Sequence, residues 1–264
     1  MIVLIDAGNS RIKLGWTDPA GGRREPSATA LDHAQIDAME AWLDALPAAP
    51  RRALGVNVAG ARIAAELDAR LRRRACMVQW VRPAAGALGL ANGYRSPQQL
   101  GADRWAALLG VRASLPAPRP VFVLATFGTA TTIDTVGPDD VFAGGLILPG
   151  PALMRASLAG GTAELPLASE GGLADFPTDT RQAIATGVAA AQAGAVARQW
   201  LAALRRYGQA PRLYASGGGW PEVAGETGRL LAEAGAARGI LPAPAQYVQN
   251  PVLDGLARLA AGAG

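Results

Sequence analysis

The sequence has one lysine (Lys13), one histidine (His33) and one cysteine (Cys76). A single cysteine forms no intrachain disulfide and no cysteine metal site, and a single histidine builds no zinc cluster and favours no histidine-dependent triad. His33, in Leu31-Asp32-His33-Ala34, reads as a surface histidine at a helix entrance. Aromatic residues make up only 5% of the chain, and none interleaves with the densest basic cluster, Arg70, Arg72, Arg73 and Arg74. That cluster is expected to be a solvated helix end, not a nucleic-acid surface. No uncharged stretch approaches the ~20 residues that span a bilayer. The opening apolar run is broken at Asp6, too early for a signal-peptide core. These absences point to the reducing cytosol, with neither membrane nor nucleic acid as partner.

What is present is core. The 264 residues are 50% apolar with a net charge of +4, enough for one large domain or two ordinary ones. The stretch Leu115-Pro116-Ala117-Pro118-Arg119-Pro120 is the clearest linker, so the expected halves are 1–115 and 121–264.

The most informative stretch is the first seventeen residues. Ile2 to Ile5 reads as a buried strand that delivers Asp6 to its end. Gly8 and Asn9 supply a turn, and Ile12, Leu14 and Trp16 alternate with Arg11, Lys13 and Thr17 as a second, half-buried strand. Asp6 and Lys13 then face each other across a hairpin, with the turn's amides between them. A carboxylate that holds Mg²⁺ through water, amides close to phosphate oxygens and a compact ammonium together suit a bound phosphate. In a chain otherwise committed to arginine, the one ammonium falls here, and the two cations are not interchangeable at a phosphate.

Farther along, the spacing predicts strands over 27–31, 53–59 and 77–81, helices over 32–46 and 60–74, a Gly/Pro turn over 18–24 and a loop over 82–100. Gly101-Ala102-Asp103-Arg104 opens a helix that runs to Ser114. The second half restarts like the first: the strand 121–127 leads into Gly128-Thr129-Ala130, then strands over 131–136 and 141–148 and a helix near 152–158. A loop over 160–177, a long helix over 178–207, a short strand 213–215 entering Ser216-Gly217-Gly218-Gly219, and helices near 222–233 and 251–261 complete it. Two glycine-turn hairpins at the heads of two halves suggest a duplication.

Asp6-x-Gly8-Asn9-Ser10-x-x-Lys13, Gly101-x-Asp103-Arg104, Gly128-Thr129-Ala130-x-Thr132-x-Asp134, Gly144-Gly145 and Gly217-Gly218, in this order, closely resemble the type III pantothenate kinases, over essentially the whole chain. The resemblance implies an α/β fold of two ribonuclease H-like (actin-like ATPase) domains, each a five-stranded mixed sheet with helices. It also implies an active site in the interdomain cleft and a homodimer with the substrate site near the subunit interface. The implied reaction is transfer of the ATP γ-phosphoryl group to pantothenate, the first step of coenzyme A synthesis. By resemblance Asp6 positions Mg²⁺ through water, and Asp6, Ala7, Gly8, Asn9, Ser10, Arg11, Ile12 and Lys13 hold phosphates, with Thr129 opposing them. Asp103 is implied as the general base. Tyr94, Gly101, Ala102 and Arg104 are implied in the pantothenate pocket, Thr180 as a threonine reaching substrate from the second subunit, and Gly217 and Gly218 at the adenine.

One position departs from the family. Thr126 stands where those kinases usually carry an aspartate that helps to bind a monovalent cation, and Phe127 follows it. A hydroxyl brings no charge, so a weak or absent requirement for K⁺ or NH₄⁺ is expected. The same departure motivates an alternative, a catalytically weak regulatory protein that keeps the nucleotide-binding fold; intact Asp6, Lys13 and Asp103 oppose it.

Overall fold

In the computed structural model, residues 1–18, 22–167 and 172–262 are described. Parts of the expected turn at 18–24 and loop at 160–177 lie outside them. The chain divides into two units, residues 1–117 with 250–264, and residues 118–249.

In the first unit, β1 (Ile2–Ala7) and β2 (Arg11–Thr17) form the expected hairpin, and β3 (Thr29–Asp32) extends it antiparallel. β4 (Arg52–Asn57) pairs parallel with β1, and β5 (Met77–Trp80) with β4, giving the order β3-β2-β1-β4-β5. Period-two alternation sorts β1 onto two faces. Val3, Ile5 and Ala7, with Ile12 and Leu14 of β2, pack against Met39 and Leu43 of α1 (Ala38–Asp44) and Ile63, Leu67 and Leu71 of α2 (Ala61–Arg72). Each such fully buried aliphatic side chain contributes about 1.5–3 kcal/mol. The expected helix over 32–46 is shorter than its apolar spacing suggests, because a 3₁₀ turn at His33–Gln35 precedes α1. Arg70 of α2 forms an ion pair with Asp37, and Arg73 and Arg74, just past the end of the helix, pair with Glu40.

The expected loop over 82–100 contains a small hairpin, β6 (Gly86–Ala87) and β7 (Leu90–Asn92), and a 3₁₀ turn at Pro97–Gln99. Its two-residue turn places Leu88 and Gly89 both at positive φ, a type usually signalled by Asn-Gly, so leucine hid it. The Arg112 guanidinium donates to the Leu88 carbonyl at 2.6 Å and secures the turn.

α3 (Ala102–Ser114) and the C-terminal α7 (Pro251–Gly262) cross backbone to backbone. A Cβ on Gly110 would lie 2.2 Å from the Pro251 carbonyl oxygen, and one on Gly255 1.9 Å from that of Ala106. The Arg24 side chain adds an ion pair at 2.7 Å to Asp254. The half expected at 121–264 therefore stops at Gln249, and α7 closes the first unit.

The second unit repeats the topology. β8 (Phe122–Phe127), β9 (Ala130–Val136) and β10 (Val141–Pro149) are antiparallel neighbours, while β11 (Arg212–Ser216) and β12 (Gln246–Tyr247) add in parallel. The order β10-β9-β8-β11-β12 matches that of the first unit. α4 (Pro151–Gly161), the long α5 (Thr180–Tyr207) and α6 (Trp220–Ala236) accompany it, and Val196 and Trp200 of α5 join Val123, Ala125, Phe127, Ile133 and Leu213 in the core. The two-residue β12 carries no apolar run to announce it. A repeated strand order with three antiparallel and two parallel members is the duplicated ribonuclease H-like fold.

Candidate active site

In the first unit, strand register sets the candidate residues. Asp6 and Lys13 are direct partners across the β1–β2 ladder, and Lys13 Nζ lies 3.8 Å from Asp6 Oδ2. Both stand on the face opposite the α1–α2 core, the face where a Cβ on Gly15 would meet Leu253 of α7. Asp6 is only 7% exposed. Burial pushes its carboxyl up to about 6; Lys13 pulls it down, and the negative charge of Asp103 pushes it up again. The 8–10 turn is closed by the Gly8 amide, which donates to the Arg11 carbonyl at 3.0 Å, and Asn9 and Ser10 are exposed at its tip. Ala7 and Ile12 are buried register partners at its base, placing them in the hairpin's support.

Asp103 sits in the first turn of α3, with Gly101 as N-cap residue. Its Oδ1 accepts the Arg104 amide at 2.8 Å, and Oδ2 takes no hydrogen bond among the described residues. A Cβ on Gly101 would lie 2.6 Å from that Oδ1, so this glycine makes room for the carboxylate; Ala102 follows it as the first residue of the helix. Arg104, buried, donates from Nη1 to the Tyr94 hydroxyl at 3.1 Å, with its guanidinium carbon 5.9 Å from the ring centroid. The Tyr94 loop is fixed by Asn92, whose side chain donates to the Ala84 and Pro97 carbonyls and accepts the Tyr94 amide. Asn92 has no signal in the sequence. Neither has the bond of His33, whose Nε2 lies 2.9 Å from the Gly8 carbonyl oxygen, so it is no mere surface residue.

The second unit supplies a matching turn. The Gly128 amide donates to the Ala130 carbonyl at 3.1 Å, as Gly8 does to Arg11, and Thr129 is exposed between them. Gly150 donates to the Thr129 carbonyl at 2.9 Å, and a Cβ there would lie 2.0 Å from the Gly128 carbonyl oxygen. Gly217 has φ +93°, and a Cβ on it would stand 2.3 Å from the Phe127 carbonyl oxygen, which accepts the Gly219 amide at 3.1 Å. Phe127 also packs on Trp220 with ring centroids 5.5 Å apart. The bulky Phe127 thus ties the 128–130 turn to the glycine run, while Gly218 faces open space. Thr126 is the register partner of Thr132 and Ser216, on the same sheet face as buried Asp134. Thr180, the first residue of α5, lines an apolar cavity of about 570 Å³ with Met154, Leu158, Leu165 and Ile184. Neither Thr129 nor Gly217 lines that cavity.

Two ribonuclease H-like units with glycine turns after their first strands, one carrying a buried aspartate paired with a half-buried lysine, define a phosphotransferase of the actin-like ATPase class. The family model for type III pantothenate kinases matches residues 2–202. The chain is 61% identical over 261 residues to the type III pantothenate kinase of Bordetella petrii, covering 99% of this chain and 97% of that one. It is 59% identical over 263 residues to the Bordetella bronchiseptica enzyme, covering 99% and 98%. The chain belongs to the type III pantothenate kinase family. In fold it is similar to a Campylobacter jejuni protein named for the Baf family of transcriptional activators, with a TM-score of 0.54, 19% identity and coverage of 96% and 94%.

Proposed function

We propose that this chain transfers the γ-phosphoryl group of ATP to the primary hydroxyl of pantothenate, giving 4'-phosphopantothenate and ADP for coenzyme A synthesis. The family supports the reaction over nearly the full length of the chain. The geometric observation that carries the assignment is Asp103, held at the start of α3 with one carboxylate oxygen committed to the backbone and the other not.

In this mechanism Asp103 Oδ2 accepts the hydroxyl proton as the substrate oxygen forms its bond to the γ-phosphorus and the bond to the ADP oxygen breaks. Arg104 and Tyr94 hold the pantothenate through charge and hydrogen bonding, with the tyrosine ring over its apolar part. Gly101 and Ala102 shape the approach to Asp103. The Gly8-Asn9-Ser10 turn presents backbone amides to the phosphates, Arg11 and Lys13 offset their charge, and Ala7 and Ile12 hold the turn rigid. Thr129 is a further phosphate ligand, and Gly217 and Gly218 leave room for the adenine.

Among the described residues no group of three or more His, Cys, Asp or Glu could cage a metal ion. The single buried carboxylate of Asp6 fits Mg²⁺, which keeps several waters and needs one carboxylate beside the phosphate oxygens. Asp6 would hold it through water, and the ion would neutralise charge on the transferred phosphoryl group. At the monovalent-cation position Thr126 offers a hydroxyl without charge, so K⁺ or NH₄⁺ is bound weakly or not at all. The working form is a homodimer in which Thr180 of one subunit reaches the substrate region of its partner, and the compartment is the cytosol. No helix among the described residues is long and apolar enough to cross a membrane.

The test is product identity. Mass spectrometry of a reaction with ATP, Mg²⁺ and pantothenate should show phosphopantothenate, whereas a phosphorylated sugar or acyl phosphate from a panel of other acceptors, with none from pantothenate, overturns the assignment. The regulatory alternative is not favoured, since the relatives that align along the chain are enzymes.

A further inference from the structure

The only histidine of the chain lies 25 residues beyond the first glycine turn, yet its Nε2 is 2.9 Å from the Gly8 carbonyl oxygen. A carbonyl only accepts, so the ring must donate from Nε2. The residue before it acts on the same turn: Asp32 is the register partner of Arg11 across β2 and β3, and its Oδ1 lies 3.3 Å from Arg11 Nε. Consecutive residues at the end of β3 therefore hold both ends of the turn, His33 at the Gly8 carbonyl and Asp32 at the Arg11 side chain. Within the turn the Gly8 amide donates to the Arg11 carbonyl at 3.0 Å. A peptide plane is rigid, so fixing the Gly8 carbonyl also fixes the Asn9 amide on the same plane.

We infer that His33 is a positioning residue for ATP: by donating from Nε2 to the Gly8 carbonyl it sets the Gly8–Asn9 peptide plane and with it the amide that faces the phosphates. The inference deepens the proposed kinase activity and rests on the first glycine turn being a phosphate site. His33 touches the turn and not the reacting atoms, so its effect falls on nucleotide affinity and leaves the pantothenate side alone. Asp32 is the weaker half of the clamp, because its ion pair with Arg11 is well exposed and such pairs contribute little.

Two measurements test it. As the chain has one histidine, a long-range ¹H–¹⁵N spectrum reports a single imidazole, which should be the Nε2–H tautomer when neutral. A neutral ring protonated only on Nδ1 overturns the inference whatever the enzyme does. Second, fluorescent ATP-analogue binding and steady-state kinetics are compared for wild type, His33→Ala and His33→Gln, whose amide can replace Nε2–H as donor. His33→Ala should raise the nucleotide Kd and ATP KM roughly three- to tenfold, as loss of one hydrogen bond does, with pantothenate KM and kcat within about twofold, and His33→Gln should return both to near wild type. Equal nucleotide affinity in His33→Ala, or a parallel rise of both KM values with a fall in Tm that glutamine does not restore, overturns it. Wild type that binds nucleotide but does not phosphorylate pantothenate would sink the kinase assignment and leave the His33 inference standing on its binding data.

Discussion

Asp6 and Lys13, direct partners across the first hairpin with Nζ 3.8 Å from Oδ2, are a buried acid and a half-buried base in van der Waals reach but beyond a tight hydrogen bond. The pair is therefore loose enough for a phosphate or a hydrated cation to compete for both members. Burial outweighs Lys13, since the Asp6 carboxyl stays pushed up to about 6 from 3.8.

That shift fixes the sign of a pH effect. A carboxyl that holds its proton more tightly when folded contributes stability that is present below pH 4 and lost as pH rises through about 6. Asp6→Asn should thus be more stable than wild type at pH 8, by at most about 3 kcal/mol, and the gap should close toward pH 4. Thermal unfolding of both proteins across that range checks it. A difference independent of pH would show that ionised Asp6 carries no cost.

The glycine run separates fold from ligand within two residues. Gly217→Ala places a Cβ at positive φ and against the Phe127 carbonyl, and should destabilise by about 2 kcal/mol or more. Gly218→Ala enters open space and should shift stability by less than about 0.5 kcal/mol while raising the ATP KM severalfold. Thermal melts and ATP titrations separate the two, and an unchanged ATP KM in Gly218→Ala would remove that glycine from the adenine face.

Gly110 and Gly255 let α3 and α7 touch through their backbones. Alanine at either position should cost about 2–4 kcal/mol, since backbone atoms cannot turn aside as side chains do. Because α3 carries Asp103 and Arg104, Gly255→Ala should also lower kcat in whatever fraction remains folded. A melt within about 0.5 kcal/mol of wild type would mean the helices separate without strain.

Thr126 predicts weak dependence on monovalent cations. Activity titrated with KCl against a tetramethylammonium control should change by less than about twofold, and Thr126→Asp should acquire a dependence by supplying a charged oxygen ligand. A sharp K⁺ requirement in the wild type would defeat the prediction.

Much of this could be read from the residues. Ile2 to Trp16 announces its hairpin because alternation, a Gly-Asn turn and β-branched residues agree, and the second hairpin repeats the signal. The Leu88-Gly89 hairpin could not be read, because its turn uses leucine at positive φ and depends on Arg112 from a later helix. The place of α7 was hidden for a related reason. Gly110 and Gly255 lie far apart in sequence, and only their backbone fit assigns the helix to the first unit. His33 and Asn92 act on carbonyls remote in sequence or inside an irregular loop, and neither contact leaves a periodic trace.

The most direct measurement is ADP release from the purified protein with ATP, Mg²⁺ and millimolar pantothenate, repeated without pantothenate and with Asp103→Asn. Release should depend on pantothenate and fall by roughly 10² to 10⁴ in the variant while its melting temperature holds, as expected for loss of a general base. Pantothenate-dependent release that survives Asp103→Asn would contradict the role of that carboxylate, and no pantothenate-dependent release from the wild type would contradict the account as a whole.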